Sequence, residues 1–277
     1  MRLSRRAKRA LVLGCGPAGL FAVHALVEAG WDVDIYSKKR RSEMFGAQYL
    51  HEPIPYLSNG STTLNYKLVG TTEGYIRKVY GAGGLPAGKA SVEVLRGEYT
   101  VWDIRATYYA AWERYADAIE DIGEMNASTF GALTPNQTPI GVQWERYHLV
   151  VTSLPAPALC FNRSHIFQDQ EVWGIGDAPE RGIFAPLKVE PMTVVCNGVP
   201  DVGWYRAANV YGYNTVEWPE DRKPPISDVA KITKPLVTTC DCWIGEYKSW
   251  MRVGRYGTWT KGVLSHEAYY KVKERIS

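Results

Sequence analysis

The sequence predicts an α/β fold: a parallel βαβ unit at the N-terminus, with a smaller, partly β region inserted into the domain that this unit begins. Two observations carry the prediction. Ala10 to Leu13 form a short apolar run that leads into Gly14-Cys15-Gly16-Pro17-Ala18-Gly19. Leu20 to Glu28 then place apolar residues at helical spacing, and Val33 to Tyr36 follow as a second apolar run. Apolar runs of this length suit strands buried on both faces of a parallel sheet.

The spacing of the first unit has a physical purpose. Gly14 permits a tight turn, Gly16 lets the backbone approach a pyrophosphate, and Gly19 lets helix and strand pack closely. The free N–H groups of residues 16 to 20 then face an anion with the helix dipole behind them. This is the pattern of a Rossmann-type dinucleotide site, with Gly14, Gly16, Pro17, Ala18 and Gly19 as its binding residues. An acidic residue normally closes the second strand and accepts a ribose hydroxyl. Ser37 stands there instead, followed by Lys38, Lys39 and Arg40. A serine backed by cations suits the 2′-phosphate of NADP, and it can equally bond the ribose of FAD.

Composition bounds the rest. The chain has 277 residues, 45% of them hydrophobic, which is ample for a buried core. A net charge of +3 permits an acidic partner without demanding one. Basic residues crowd at Arg5 to Arg9 and again at Lys38 to Arg41, as a solvated surface or a DNA contact would. No run of about 18 apolar residues exists to span a membrane. Glycines interrupt the one segment that imitates a secretion signal, so a cytoplasmic protein is expected. Five cysteines are sparse and odd in number, which suits a reducing compartment. Cys240-Asp241-Cys242 lacks the two-residue gap of a zinc or thioredoxin pair, so these two are expected to be packed thiols, with no metal site.

The middle of the chain reads more coarsely. Gly83 to Ala90 nearly match a phosphate-binding loop, but Ala90 stands where a magnesium-binding hydroxyl is required. Ser91 to Trp102 alternate as strands. Asp103 to Ile122 read as a helix whose aromatics Tyr108, Tyr109, Trp112 and Tyr115 are mostly core. Glu217 to Leu236, with four prolines among charges, read as a loop.

Residues 252 to 264, Arg-Val-Gly-Arg-Tyr-Gly-Thr-Trp-Thr-Lys-Gly-Val-Leu, favour FAD. They resemble the closing motif of the amine-oxidase and UDP-galactopyranose-mutase-like flavoproteins. That resemblance implies Gly254 and Arg255 beside the pyrophosphate and ribityl chain, and Gly262, Val263 and Leu264 at the pyrimidine end of the flavin. It also implies that Gly46, Ala47 and Gln48 lie along the flavin edge, with Gln48 and His51 as catalytic candidates and His51 as a general base. Residues 1–60, 145–175 and 250–277 then form the FAD-binding domain, and 61–144 and 176–249 the substrate region. A Gly-Ala-Gln-Tyr-Leu-His stretch after the second strand also resembles small bacteriophage flavoproteins, some linked as FAD-dependent lyases to the tailoring of amino-acid-modified thymine in phage DNA.

The expected activity is therefore that of an FAD-dependent oxidoreductase or lyase acting on a C–N bond of an amine or amino-acid-like group, on a small molecule or a modified nucleotide. A redox-neutral mutase on a nucleotide sugar and a non-catalytic binding module are the alternatives. Among other polar residues, Arg206 is either a residue on a surface strand or a candidate anchor for a carboxylate or phosphate. His24 and His148 read as structural, and His266 as a residue near the flavin.

Overall fold

The computed structural model describes residues 8–81, 95–123, 146–160, 162–175, 187–226, 229–242 and 249–277. In chain order these give β1 (Arg9–Leu13), α1 (Pro17–Glu28), β2 (Asp32–Ser37), β3 (Thr62–Gly70), α2 (Thr72–Tyr80), β4 (Gly97–Val101), α3 (Ile104–Tyr115), β5 (Ile119–Asp121), β6 (Leu149–Thr152) and α4 (Ala156–Leu159). They continue with β7 (Phe167–Ile175), β8 (Thr193–Gly198), β9 (Arg206–Val210), β10 (Tyr213–Pro219), β11 (Ala230–Thr238), β12 (Trp250–Arg252), α5 (Gly254–Thr258) and α6 (Glu267–Ile276).

Five strands form one sheet in the order β12-β6-β1-β2-β5, and every pairing in it is parallel. β1 lies at its centre, with Ala10 to Leu13 wholly buried. A parallel strand covered on both faces needs such a continuous apolar run, and each large side chain contributes roughly 1.5–3 kcal/mol by leaving water. Pro17 opens α1, where its missing N–H costs nothing. Ala18 to Leu26 are buried on every side of the helix, which packs between the sheet, α3 and α6. This is the Rossmann-type domain expected from the sequence.

Seven strands form the second sheet in the order β11-β7-β10-β9-β8-β3-β4. Only the β3–β8 pair in it is parallel. One face packs Leu64, Val194, Cys196 and Tyr205 against Ala47 and Tyr49, which lie on the segment after β2.

Several expectations change here. Asp103 to Ile122 are not one helix: Asp103 caps α3, a short turn follows at Ala116–Ala118, and Ile119 to Asp121 join the parallel sheet beside β2. Burial of Ile119 against Ile35 outweighs helical spacing. Glu217 to Leu236 are not one loop either. Their first three residues end β10 and their last seven lie in β11, where a register shift between Pro235 and Val237 accommodates the proline. Sheet membership also cuts across the expected domain boundaries. Phe167–Ile175 pair in the second sheet and Ile119–Asp121 in the first, the reverse of their assigned regions. The rejected phosphate loop at 83–90 and the residues Arg5 and Arg6 lie outside the described residues.

Candidate functional site

The glycine turn is built as the spacing requires. Gly14 takes φ +99° and donates its N–H to Tyr36 across the sheet at 2.9 Å. A Cβ on Gly19 would lie 2.0 Å from the Gly14 carbonyl oxygen, so the helix approaches the turn as only glycine allows. Gly16 caps α1 with no side-chain hydrogen bond, and no acidic residue occupies the first helical turn. The first N–H groups of α1 are thus left to an external anion.

Ser37 closes β2. Its hydroxyl is buried and accepts the Cys15 N–H at 3.1 Å, so it holds the turn from within. Lys38 remains at the exposed end of β2. Cys15 and Tyr108 complete this support. The Cys15 thiol donates to the Lys38 carbonyl at 3.3 Å, and Tyr108 donates to the Cys15 carbonyl at 3.0 Å while accepting the Ser42 N–H at 3.0 Å. Sequence reasoning took Tyr108 as core, which its full burial bears out, but missed what its hydroxyl does.

A second group of residues lies where residues 45–51 meet the second sheet. Gly46 takes φ +76°, and a Cβ there would sit 3.0 Å from the Glu217 carboxylate. Glu217 is buried and paired with both Arg206 and Lys234, and it accepts the Tyr205 hydroxyl at 3.3 Å. Burial alone would raise its carboxyl, but the two cations hold it down to about 2. Burial likewise brings Lys234 down to about 8, against the pull of Glu217. Two cations against one carboxylate leave this buried cluster net positive. Arg206, a candidate anchor or a surface-strand residue on the sequence, is half-buried here and already paired with Glu217.

Arg255 reaches the same region, with Nε and one terminal nitrogen donating to the Pro235 carbonyl at 3.3 and 3.0 Å. Its guanidinium therefore braces α5 against β11, where the resemblance put it beside the pyrophosphate. Gly254 does lie against the first turn of α1, since its Cβ would be 2.5 Å from that of Ala18.

The remaining predicted residues make the following contacts. Gln48 donates its amide to the Phe45 carbonyl at 2.8 Å and so closes the turn that carries Gly46 and Ala47. His51 stacks near Tyr49 at 4.9 Å and lies 6.0 Å from the ring of His266, which brings the segments 46–51 and 262–266 together. Burial lowers the pKa of both imidazoles. His266 Nδ1 is buried without a hydrogen-bond partner among the described residues. Gly262 has open space where a side chain would be, and Val263 and Leu264 follow it towards α6.

His24 is satisfied in the core by Tyr115 and the Pro55 carbonyl, and His148 accepts the Arg9 N–H, both as expected. An apolar cleft of about 250 Å³, lined by Val195, Val199, Val202 and Trp204 among others, opens on the far face of the second sheet and belongs to neither group.

The glycine turn and the uncapped N-terminus of α1 fit the pyrophosphate of a dinucleotide.

No family model matches the sequence, and no curated protein is similar to it in sequence. Solved structures are similar in fold. A point variant of 2-methyl-3-hydroxypyridine-5-carboxylic acid oxygenase superposes with a TM-score of 0.52 at 14% identity, covering 98% of this chain and 87% of that one. The tetrameric form of the same oxygenase gives 0.47 at 15% identity over the same shares. The tetracycline destructase Tet(55) gives 0.48 at 10% identity, covering 99% of this chain and 82% of its own. At such identities the likeness is one of fold.

Proposed function

We propose that this chain is an FAD-dependent oxidoreductase acting on a small anionic substrate. One observation carries the reading: the uncapped start of α1, entered through Gly14 and Gly16 and packed on Gly254 from the far end of the chain. The N–H groups of Gly16, Ala18 and Gly19 would hold the pyrophosphate, with Lys38 beside the adenosine end and Gly254 and Arg255 closing the other side. Gly46, Ala47 and Gln48 would border the flavin ring, and Gly262, Val263 and Leu264 would meet its pyrimidine end. FAD, when bound, supplies a ring that accepts two electrons from a substrate or a reductant.

The chain's own residues do the rest. Arg206 and Lys234 offer a carboxylate of the substrate a buried positive charge, with Glu217 orienting both. His51, whose pKa is lowered by desolvation, would accept a proton from the substrate. The side chain of Gln48 fixes the turn that borders the ring.

The finer reading is oxidation or lysis of a C–N bond in an amino-acid-like group, whose carboxylate the cluster would receive. A second reading takes the same cluster as the site of an aromatic carboxylate, and it draws support from the name of the pyridine-carboxylic acid oxygenase of shared fold. Nucleic acid stays a candidate partner of the basic clusters, two of whose charges are paired. Arg9 pairs with Asp34 at 2.7 Å and Arg40 with Glu43 at 2.8 Å, so these charges are partly neutralised within the chain.

Anaerobic mixing separates the readings. Bleaching of the flavin by amino acids or amine-bearing nucleotides supports the first. Bleaching by NADH or NADPH alone, together with oxygen consumption in a separate aerobic assay only when an aromatic carboxylate is added, supports the second. Activity only after prior chemical reduction would indicate a redox-neutral mutase, and no response to any of these would leave a binding module.

A further inference from the structure

Four side chains gather away from the glycine turn and the charged cluster. Cys160 follows α4, His165 lies just before β7, and Cys240 and Cys242 follow β11. Their ligand atoms all lie within 4.8 Å of one another. Cys160 Sγ is 3.3 Å from His165 Nδ1 and 3.9 Å from Cys242 Sγ, and Cys242 Sγ is 3.5 Å from His165 Nδ1. A tetrahedral zinc ion, with Zn–S near 2.3 Å and Zn–N near 2.0 Å, has S–S edges of about 3.8 Å and S–N edges of about 3.5 Å. The three edges among Cys160, His165 and Cys242 match that tetrahedron, and Cys240 Sγ lies within 4.8 Å of all three atoms, whereas a disulfide would need its sulfurs about 2.05 Å apart.

We propose that Cys160, His165, Cys240 and Cys242 form a structural zinc site that clasps the end of α4 and the start of β7 to the end of β11.

The strand pairing explains how the ligands meet. Phe167 pairs with Thr238 in the antiparallel β7–β11 ladder. Extending that register by two residues sets His165 opposite Cys240. Thr239 fastens the extension, since its hydroxyl accepts the Ile166 N–H at 2.9 Å and its own N–H donates to the Ile166 carbonyl at 3.1 Å. With four protein ligands the site is closed, as structural zinc sites are, and it offers no position to a substrate.

The surroundings balance its charge. Three thiolates and a divalent ion sum to one negative charge. Arg252 is buried beside them and donates to Cys240 Sγ at 3.3 Å, to the Cys240 carbonyl at 3.2 Å and to the Cys242 carbonyl at 2.5 Å. A buried guanidinium requires such a counter-charge. The Asp241 carboxylate lies 3.6 Å from His165 Nε2, on the side from which carboxylates orient a zinc-bound imidazole. Cys240 and Cys242, expected to be packed thiols, are thus half of a ligand set that the spacing of one short motif does not reveal.

The test is metal analysis of the full chain purified without an affinity tag, together with its cobalt-substituted form. The expected results are one zinc per chain and, with cobalt, the strong sulfur-to-cobalt charge-transfer absorption of a tetrahedral thiolate site. Cys242→Ser should lose the zinc, while Cys196→Ser, a buried thiol on the second sheet, should keep it. Should Cys242→Ser fail to fold, the wild-type zinc content and cobalt spectrum still decide the matter. Free thiols with less than a tenth of a zinc per chain after incubation with zinc sulfate would overturn the proposal. So would a Cys160–Cys242 disulfide found by peptide mass spectrometry.

Discussion

Gly254 and Ala18 touch where the two ends of the chain meet, so closely that a Cβ on Gly254 would lie 2.5 Å from that of Ala18. Gly254 also takes φ +70°, and Gly262 takes φ +85° with open space around it. Gly262→Ala should therefore cost only backbone strain, about 1–2 kcal/mol. Gly254→Ala adds overpacking of about 1–3 kcal/mol and should push α5 away from the helix start. Urea denaturation of the two variants makes the comparison, and equal losses would remove this contact from the account.

Gly16 and Gly19 should separate cofactor binding from folding. A Cβ on Gly16 meets only the Ser42 hydroxyl, at 3.2 Å, whereas one on Gly19 collides with the Gly14 backbone. Gly16→Val is expected to fold and elute without flavin, because its side chain would fill the pyrophosphate space. Gly19→Val is expected to be destabilised whether or not FAD is supplied. Circular dichroism and flavin content, read together, check both outcomes.

Glu217 should make stability depend on pH in the acid range. Its folded carboxyl sits at about 2, below the ordinary value of about 4.3. The folded state thus binds fewer protons in that window, and the stabilisation is complete above about pH 4.3 and lost as the pH falls through about 2. Glu217→Gln leaves Arg206 and Lys234 buried without their carboxylate, at a cost of about 3–5 kcal/mol at neutral pH. The gap between wild type and variant should narrow as denaturation is repeated from pH 5 down to pH 2. A gap that stays constant would mean that the carboxylate is not held by these cations.

His51 and Gln48 should behave differently, although they are neighbours on one turn. His51→Ala should slow flavin reduction by substrate about tenfold, a loss of about 1.4 kcal/mol in transition-state stabilisation, with FAD content unchanged. Gln48→Ala frees the Phe45 carbonyl and loosens the turn, so retention of FAD on dilution should fall as well. Stopped-flow reduction and flavin release on gel filtration report the two effects. Unaltered reduction in His51→Ala would remove it as the base.

How much could be read from the sequence follows from where the physical cause lies. β1, the glycine turn, α1 and β2 were legible because each requirement is local: an apolar run, three glycines in register, and a proline at the helix start. The Glu217 cluster was not, because Arg206 meets Glu217 through antiparallel register between β9 and β10, which no local pattern records. The same holds for His165 and Cys240, brought together by the β7–β11 ladder. Ile119 to Asp121 continue the helical spacing of α3, and only the parallel sheet beside them turns them into a strand. Ser37 was recognised as the residue in the ribose position, but its inward bond to Cys15 depends on how tightly the turn closes.

The most direct measurement of the central claim is the absorption spectrum of the purified, untagged chain, with the released cofactor identified by mass spectrometry. The expected result is a yellow protein carrying close to one FAD per chain. A colourless protein that takes up no FAD from solution but binds NADPH saturably would contradict it, and would assign the glycine turn and the Lys38–Arg41 cations to a different dinucleotide.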